Sequence, residues 1–221
     1  MSNTSFPLSE LNQVKRIPSR GAYDRATIYP IIDAAPLGHV GILTDDQHPL
    51  AVIPMLHARR DDALYFHGAQ TSRLLRYLAS GRPATVSFAW VDGYVLAKSL
   101  FHHSMNYHSA VVFGRGMELA DREAKLEGLR IISDKLIPGR WEDARLPNPQ
   151  ELKATLVVRL AIETASAKIR SGGPKEEPAD VDLPYWSGVV PLEIRYGEPQ
   201  ADALSQHLPL PPYVRDLARG V

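Results

Sequence analysis

The chain contains no cysteine among its 221 residues. Disulfide bonds, thiolate catalysis and cysteine-ligated zinc or iron–sulfur centres are therefore excluded, and the absence favours a cytoplasmic location. A net charge is missing as well, because 25 lysines and arginines balance 25 aspartates and glutamates. Nucleic-acid binding needs clustered positive charge, so we expect no nucleic-acid partner.

Long apolar runs are also absent. No stretch approaches the roughly 20 apolar residues of a membrane span, and the N-terminus lacks the charged start and apolar core of a secretory signal. We therefore expect no membrane partner. The distribution of polar and proline-rich stretches predicts a polar lead-in over residues 1–20, one domain over residues 21–195, and an extended, proline-rich tail over residues 196–221.

Signatures of common enzyme classes are not found. The chain has no HExxH, GxSxG or GxGxxG motif, which argues against a zinc protease, an α/β-hydrolase and a Rossmann enzyme. His102, His103 and His108 lie close in sequence, but no carboxylates stand at ligand spacing. We therefore predict solvated loop histidines and no metal site.

The chain does contain a series of short β patterns. Strands are predicted over residues 39–43, 50–57, 63–66, 84–91, 94–99, 109–119, 156–162 and 189–194, with a polar turn at residues 44–48 and a hairpin at Asp92-Gly93. Helices are predicted over residues 22–34, after Ser72 and after Asp121, the last with an apolar stripe of Leu126, Leu129, Ile132 and Leu136. The expected fold is mostly β with flanking helices (α+β), a closed or half-closed barrel.

Residues 64–75, LYFHGAQTSRLL, are the most informative stretch. An aromatic strand is expected to end at Gly68, and Thr71 or Ser72 can cap a following helix. Unpaired N–H groups at a helix start, together with the fork of Arg73, suit a phosphate. The alternative is an ordinary strand–helix connection with a solvated arginine.

Several segments, taken in order, resemble the flavin-nucleotide-binding branch of the pyridoxamine 5′-phosphate oxidase-like superfamily. The resemblance covers about residues 16–191 and rests on IPMLH, LYFHGAQTSR, DGYVLAKSLFHHSMNYHSAVVFGRG, PGRW, ELKATLVVRL and SAKIRSGGP. It implies an FMN-binding split β-barrel that forms a homodimer, with FMN bound in the cleft between the subunits.

The resemblance also implies which residues contact the cofactor. The strand of residues 53–57 would lie along the flavin, the Ser72-Arg73 pair would hold the phosphate, and Ser109 would face the cofactor from the dimer side. The implied cofactor-binding set is Ile53, Pro54, Met55, Leu56, His57, Phe66, His67, Gly68, Ala69, Ser72, Arg73, Asn106, Ser109, Lys168 and Arg170.

His67 is the one residue to which we assign a catalytic role, orienting a substrate or delivering a proton. The alternative is that His67 is a packed histidine of the barrel. Lys168 or Arg170 could stabilise negative charge on a reduced flavin. On local pattern alone, the same two residues could equally be the solvated face of a sheet.

The sequence departs from the true oxidases at two places. Leu74 stands where they have a lysine after Ser-Arg, and Glu163 is followed by Thr164 and Ala165 rather than by aromatic residues. Because those C-terminal positions recognise the pyridoxal substrate, we do not expect oxidation of vitamin B6. The chain is more similar to relatives of nitroimidazole-resistance proteins.

Three functions remain open at this point. The first is an FMN-dependent oxidoreductase that reduces a small oxidised molecule. The second is a flavin-binding or sensing module without turnover. The third is a haem-binding or haem-degrading protein on the same barrel, with a histidine as axial ligand.

Overall fold

The computed structural model describes residues 4–43 and 51–219, so the predicted turn at residues 44–48 lies outside the described part of the chain. The strands are β1 (Gly21–Ala22), β2 (Gly38–Ile42), β3 (Ala51–Met55), β4 (Ala58–Arg60), β5 (Ala63–Ala69), β6 (Pro83–Leu96), β7 (Ser104–Glu118), β8 (Thr155–Arg170) and β9 (Gly188–Pro191). The α-helices are α1 (Arg25–Ala34), α2 (Arg73–Ala79), α3 (Arg122–Leu136), α4 (Pro149–Ala154) and α5 (Pro212–Arg219). Short 3₁₀ turns occupy Pro18–Arg20, Leu100–His102 and Pro178–Asp180.

The strands form one antiparallel sheet in the order β3-β2-β6-β7-β8-β5-β4, to which β1 adds beside β8 and β9 beside β6. Only Leu56 and His57 separate β3 from β4, so the chain joins the two ends of this order directly. The sheet is therefore curled into a half-closed barrel, and the predicted fold class is confirmed. Its core is filled by large aliphatic and aromatic side chains, among them Phe66, Phe88 and Ile28.

The long ladder between β7 and β8 depends on one glycine. A Cβ at Gly114 would lie 1.8 Å from the carbonyl oxygen of Ala161, a distance that no side chain can accommodate. The register shifts between Phe113 and Gly114, which lets the two strands bend together around the barrel.

Two glycines at which the sequence predicts the end of a strand lie inside strands instead. Gly68 does not end β5 but pairs with Leu156, and a Cβ there would come within 2.9 Å of Leu75 on α2. The Asp92-Gly93 hairpin is wrong, because β6 continues to Leu96. A Cβ at Gly93 would lie 2.7 Å from the carbonyl oxygen of Val190, so this glycine allows β9 to approach. Both glycines mark close packing rather than turns.

Three other predictions change at the ends of elements. β7 begins at Ser104 rather than at residue 109, so much of the polar run before it is strand. The predicted lead-in is not merely polar, since Phe6 is buried in the core and Asn12 donates hydrogen bonds to Thr164 Oγ1 and the carbonyl oxygen of Ala165. The prediction of an extended tail is wrong at the end of the chain, where residues 212–219 form α5. This helix begins with a proline, which the first position of a helix tolerates.

Helix α3 is capped by Asp121 as predicted, but its buried face differs from the predicted stripe. The buried residues are Lys125, Gly128, Ile131 and Ile132, whereas Leu126 and Leu129 are half-buried and Leu136 is exposed. The reason is that α3 lies on the outer face of the barrel against β4, β5 and β8.

Two lysines of α3 bond the carbonyl ends of neighbouring helices. Lys125 Nζ donates to the carbonyl oxygens of Leu152 and Thr155, at 3.3 and 2.9 Å, at the end of α4. Lys135 Nζ donates to the carbonyl oxygens of Asp33 and Ala35 at the end of α1. A cation at a helix C-terminus is favourable, so α3 holds both helices in place.

Candidate functional site

The structure does not bring the predicted site residues together within one chain. His67 pairs with Val157 near the start of β8, whereas Ser109 pairs with Lys168 near its end. Eleven residues of strand separate these two positions, about 36 Å along the chain. The predicted residues fall into three groups: His67, the edge of β3 with the start of α2, and the far ends of β7 and β8.

His67 lines a cavity of about 310 Å³ on the outside of the barrel. On β5, Leu64 and Phe66 point into the core, and His67 therefore projects from the opposite face toward α3. The structure thus places His67 outside the interior of the barrel, and the choice between a packed and a catalytic histidine stays a prediction. The other residues that line the cavity are Leu129, Ile132, Ser133, Leu136, Arg140, Trp141, Ala144, Arg145, Leu146 and Pro147.

The imidazole of His67 is well suited to bind something in this cavity. Its Nδ1 is buried and has no hydrogen-bond partner among the described residues. Burial lowers the pKa of His67. The ring is therefore neutral at neutral pH, and because Nδ1 is closed off from solvent, Nε2 is the nitrogen that a ligand in the cavity would meet.

The outer wall of this cavity is the segment of residues 137–147, which is held from two sides. Tyr213 of α5 donates a hydrogen bond to Asp143 Oδ2 (2.7 Å) and accepts one from Arg140 Nη1 (3.2 Å). Its ring lies against Gly139, which has a φ of +90°. The wall is therefore fixed to the C-terminal helix at this end.

At its other end the wall is fixed to α4. Arg145 makes two hydrogen bonds to the carboxylate of Glu151, at 3.0 and 2.7 Å. Glu151 also accepts from the backbone N–H of Asn148 in the capping box of α4. These contacts, led by that with Arg145, lower the pKa of Glu151 to about 2. The wall arginines are thus oriented before any ligand binds.

The second group is an open edge of the sheet. β3 pairs only with β2, and residues 66–69 of β5 pair only with β8, among the described residues. Ser72 caps α2 as predicted, accepting from Leu75 N at 3.3 Å. Arg73 is exposed, and its side chain has no hydrogen bond or ion pair within the described ranges. Backbone groups and one arginine are therefore free to meet a ligand.

Two predicted cofactor contacts in this region are wrong at the level of the side chain. His57 is fully buried, with Nε2 2.9 Å from the carbonyl oxygen of Ile32 and its ring 4.6 Å from that of Phe88. Burial lowers the pKa of His57 to about 4. Phe66 is also fully buried. Strand alternation turns Phe66 into the core, and the short connection between β3 and β4 places His57 against Ile32 and Phe88.

The third group lies at the far ends of β7 and β8. Ser109 Oγ donates to the carbonyl oxygen of Lys168 at 3.0 Å, and both residues line a second cavity of about 310 Å³ under the lead-in. Arg170 is 7% exposed and donates to Asn106 Oδ1 and to the carbonyl oxygens of Gly172 and Gly173. Arg170 therefore holds the double-glycine turn, and burial lowers its pKa.

Sequence reasoning missed the wall of the His67 cavity. The PGRW motif contributed to the resemblance, but Arg140 and Trp141 received no role. Their approach to His67 depends on α3 and the following segment folding back over β5, a long-range contact that no local pattern encodes.

No group of three or more histidines, aspartates or glutamates within the described ranges could hold a metal ion.

Comparison with known families decides what the barrel is. The sequence profile of the pyridoxamine 5′-phosphate oxidase family matches residues 24–169. The chain belongs to this family. The resemblance inferred from the ordered segments is therefore confirmed, and the half-closed barrel is the split barrel of pyridoxamine 5′-phosphate oxidase-like proteins. A search of curated proteins finds no match.

Two solved members of this fold are similar over nearly their whole length. The flavocytochrome Anf3 from Azotobacter vinelandii is 33% identical, with 95% of this chain and 97% of that one covered and a TM-score of 0.87. The FAD and haem binding protein from Mycobacterium smegmatis is 38% identical, with 90% and 97% covered and a TM-score of 0.84.

A more distant structure supports the fold alone. The 5-nitroimidazole antibiotic resistance protein from Bacteroides thetaiotaomicron is 23% identical, with 67% of this chain and 86% of that one covered and a TM-score of 0.57. In the described part of this pyridoxamine 5′-phosphate oxidase-like chain, none of the helices has the length and apolar character needed to cross a membrane.

Proposed function

We propose that this protein binds a flavin and a haem and passes electrons from the flavin to a small oxidised acceptor. The names of two relatives support the binding of both a flavin and a haem. One relative is a flavocytochrome and the other an FAD and haem binding protein, and each is at least 33% identical across nine-tenths of this chain. The proposal joins the oxidoreductase and haem hypotheses that the sequence left open.

The observation that carries the haem assignment is the cavity at His67. A haem needs a nitrogen ligand for iron, an apolar cleft for its ring and cations for its carboxylates. The neutral imidazole of His67 offers the first, and Leu129, Ile132 and Trp141 offer the second. Arg140 and Arg145 at the wall offer the third.

The residues of the cavity would set the properties of such a group. A bound haem would supply one-electron chemistry. His67 would hold the iron through one ring nitrogen, and the apolar side chains would exclude water. Arg140 and Arg145 are already bonded to Tyr213 and Glu151, so they would meet a ligand carboxylate in a fixed orientation.

The flavin is assigned to the open edge of the sheet. Unpaired backbone groups of β3 and of residues 66–69 can bond the polar edge of a flavin ring, and exposed Arg73 can meet its phosphate. The resemblance predicts FMN, whereas the M. smegmatis relative is named for FAD. We retain FMN as the proposal. Chromatography of the flavin released from the protein distinguishes the two, and FAD as the only flavin would contradict FMN.

The homodimer is part of the same proposal. An open edge would leave a flavin half exposed, and a second subunit would close it with its own Ser109 and Lys168. An exposed apolar patch suits an interface of this kind. On β6, Tyr94 pairs with Met105 of β7 on one side and with Val190 of β9 on the other, and all three side chains are exposed. Sedimentation should show a dimer. A folded, flavin-loaded monomer at micromolar concentration would contradict it.

The experiment that tests the function is a visible spectrum of the purified protein after incubation with haemin and flavin and removal of unbound ligand. We expect a Soret band together with flavin bands. A flavin spectrum alone would remove the haem from the proposal. Absence of NAD(P)H- or dithionite-dependent turnover with quinone and nitroaromatic acceptors would favour a binding module without catalysis.

A further inference from the structure

A second constellation of polar side chains surrounds the bulge in β6. The pairing of β6 with β7 skips Asp92, because the register shifts between Val91 and Gly93. Bulges turn a side chain out of the regular ladder. Here Asp92 Oδ1 accepts from Trp90 Nε1 at 2.9 Å, and Asp92 Oδ2 lies 2.8 Å from His108 Nδ1. Both carboxylate oxygens are thus occupied.

The imidazole of His108 is oriented from two directions. Trp90 and His108 are cross-strand partners whose rings stack with centroids 5.1 Å apart and an interplanar angle of 24°. Because Nδ1 is bonded to Asp92, the second nitrogen, Nε2, is the one left to accept or donate a proton. No described residue bonds it, and the side chain is 32% exposed.

The other histidines near this end of the barrel are engaged differently. Nε2 of His57 and of His103 bond the carbonyl oxygens of Ile32 and Ala97, and Nε2 of His102 faces Glu177. Only at His108, among the described histidines, does a carboxylate hold Nδ1 while Nε2 faces solvent. This is the arrangement that general acid–base catalysts use.

His108 of β7 lies at the same end of the sheet as Met55, where β3 ends, with β2 and β6 between the two strands. Trp90 and Ile169 pack against the barrel core on either side of it, and His108 pairs with Ile169. Met55 of β3 lies at the same end, because β2 pairs Gly38 with Met55 and then continues beside β6. Asp92 is the charged group in contact with His108, and strand alternation sends Lys168 and Arg170 to the other face.

We propose that Asp92, Trp90 and His108 form an acid–base site, separate from the His67 cavity, in which His108 protonates an oxygen of a quinone-like acceptor. The inference rests on the proposed function, since the acceptor gains its electrons from reduced flavin. The Nε2–H bond breaks, an O–H bond forms on the acceptor, and the imidazolium becomes neutral. Asp92 remains a carboxylate and acts as a positioning residue. A solvent proton then restores the imidazolium.

The first test needs neither flavin nor haem. A protonated imidazole quenches the fluorescence of an indole stacked on it, so the apoprotein's tryptophan emission should fall as the pH is lowered from 8 to 5. The fall should disappear in His108→Gln and Trp90→Phe and persist in His207→Gln, a variant in the exposed tail. Emission that does not depend on pH, or that responds equally in His108→Gln, would overturn the site even if the protein binds no flavin.

The second test measures reoxidation of the reduced, flavin-loaded protein by a benzoquinone between pH 5 and 8. His108→Gln should slow it roughly 100-fold, within the usual range for a lost general acid. The flavin content should not change, and the pH dependence should flatten. Asp92→Asn should give a smaller loss with an altered pH profile. Unchanged rates in His108→Gln with flavin fully bound would show that the constellation only stabilises the bulge.

Discussion

The His67 cavity and the open edge of the sheet are built in opposite ways. The cavity is lined within one chain by residues of β5, of α3 and of a wall that Tyr213 and Glu151 hold in place. The open edge consists of strand positions with a neighbour on one side only and an exposed Arg73. The difference predicts that the cavity can hold the proposed haem within a single chain, whereas the proposed flavin at the edge would need a second subunit to enclose it.

The arginines of the two regions also differ in whether they already have partners within the chain. Arg140 and Arg145 already have partners, and a ligand would share them. Arg73 has none in the described part of the chain, so an anion at the edge would gain an uncommitted guanidinium. We therefore expect shape to dominate binding in the cavity, and charge to dominate binding at the edge.

The change expected to abolish both regions is Gly114→Ala, because both depend on the ladder of β7 and β8. A Cβ at this position would collide with the carbonyl oxygen of Ala161. Strand separation should lower the free energy of unfolding by about 3 kcal/mol, the upper end of the usual cost of overpacking. Urea denaturation measures it. Gly173→Ala is the control, since a Cβ at Gly173 meets nothing within 4 Å. Equal stability of both variants would contradict the account of the ladder.

His57 lies in the connection between β3 and β4, and its titration should make the protein sensitive to acid. The pKa of His57 is about 4 in the folded chain, below its ordinary value of 6.5, because burial disfavours the cation. The unfolded chain therefore binds a proton first as pH falls. The contribution is fully present above pH 6.5 and is lost as pH falls from 6.5 to 4. The total is about 3 kcal/mol.

The check is urea denaturation at a series of pH values with His57→Gln as the matched variant. The glutamine amide can still donate to the carbonyl oxygen of Ile32 but does not titrate. The loss of stability between pH 6.5 and pH 4 should shrink in the variant. An identical slope in both proteins would assign acid sensitivity to other groups.

A smaller effect is expected at the edge, where Arg73→Ala should weaken flavin binding without harming the fold. Loss of a hydrogen bond to a charged group costs about 1.5–3 kcal/mol. Titration of the apoprotein with FMN and with riboflavin separates the phosphate from the ring. We expect a loss for FMN alone. Equal weakening of both ligands would mean that Arg73 does not contact the phosphate.

The fold was largely predictable because its signals are local. Ser72, Asp121 and Asn148 cap the helices that follow them, as their sequence context indicates. Gly68 and Gly93 misled the prediction because a glycine looks the same in a turn as under a close contact. Their neighbours, Leu75 and Val190, are set by tertiary packing.

The site was less predictable than the fold. His67 was singled out from the sequence, but its partners Arg140, Trp141 and Arg145 are more than 70 positions away in the chain. Their approach results from the packing of α3 on the outer face of the barrel. The sequence pattern predicts a turn residue at Asp92 and a loop histidine at His108. Only the register of β6 against β7 shows that the two side chains touch.

The central claim is that haem and flavin occupy separate sites, and its most direct test is the content of each per chain in His67→Ala. Wild type, His67→Ala and the control His207→Ala are loaded in parallel, and circular dichroism confirms folding. We predict that His67→Ala loses the Soret band and keeps its flavin, while His207→Ala keeps both. Full haem content in folded His67→Ala, or a loss of flavin with haem retained, would contradict the account.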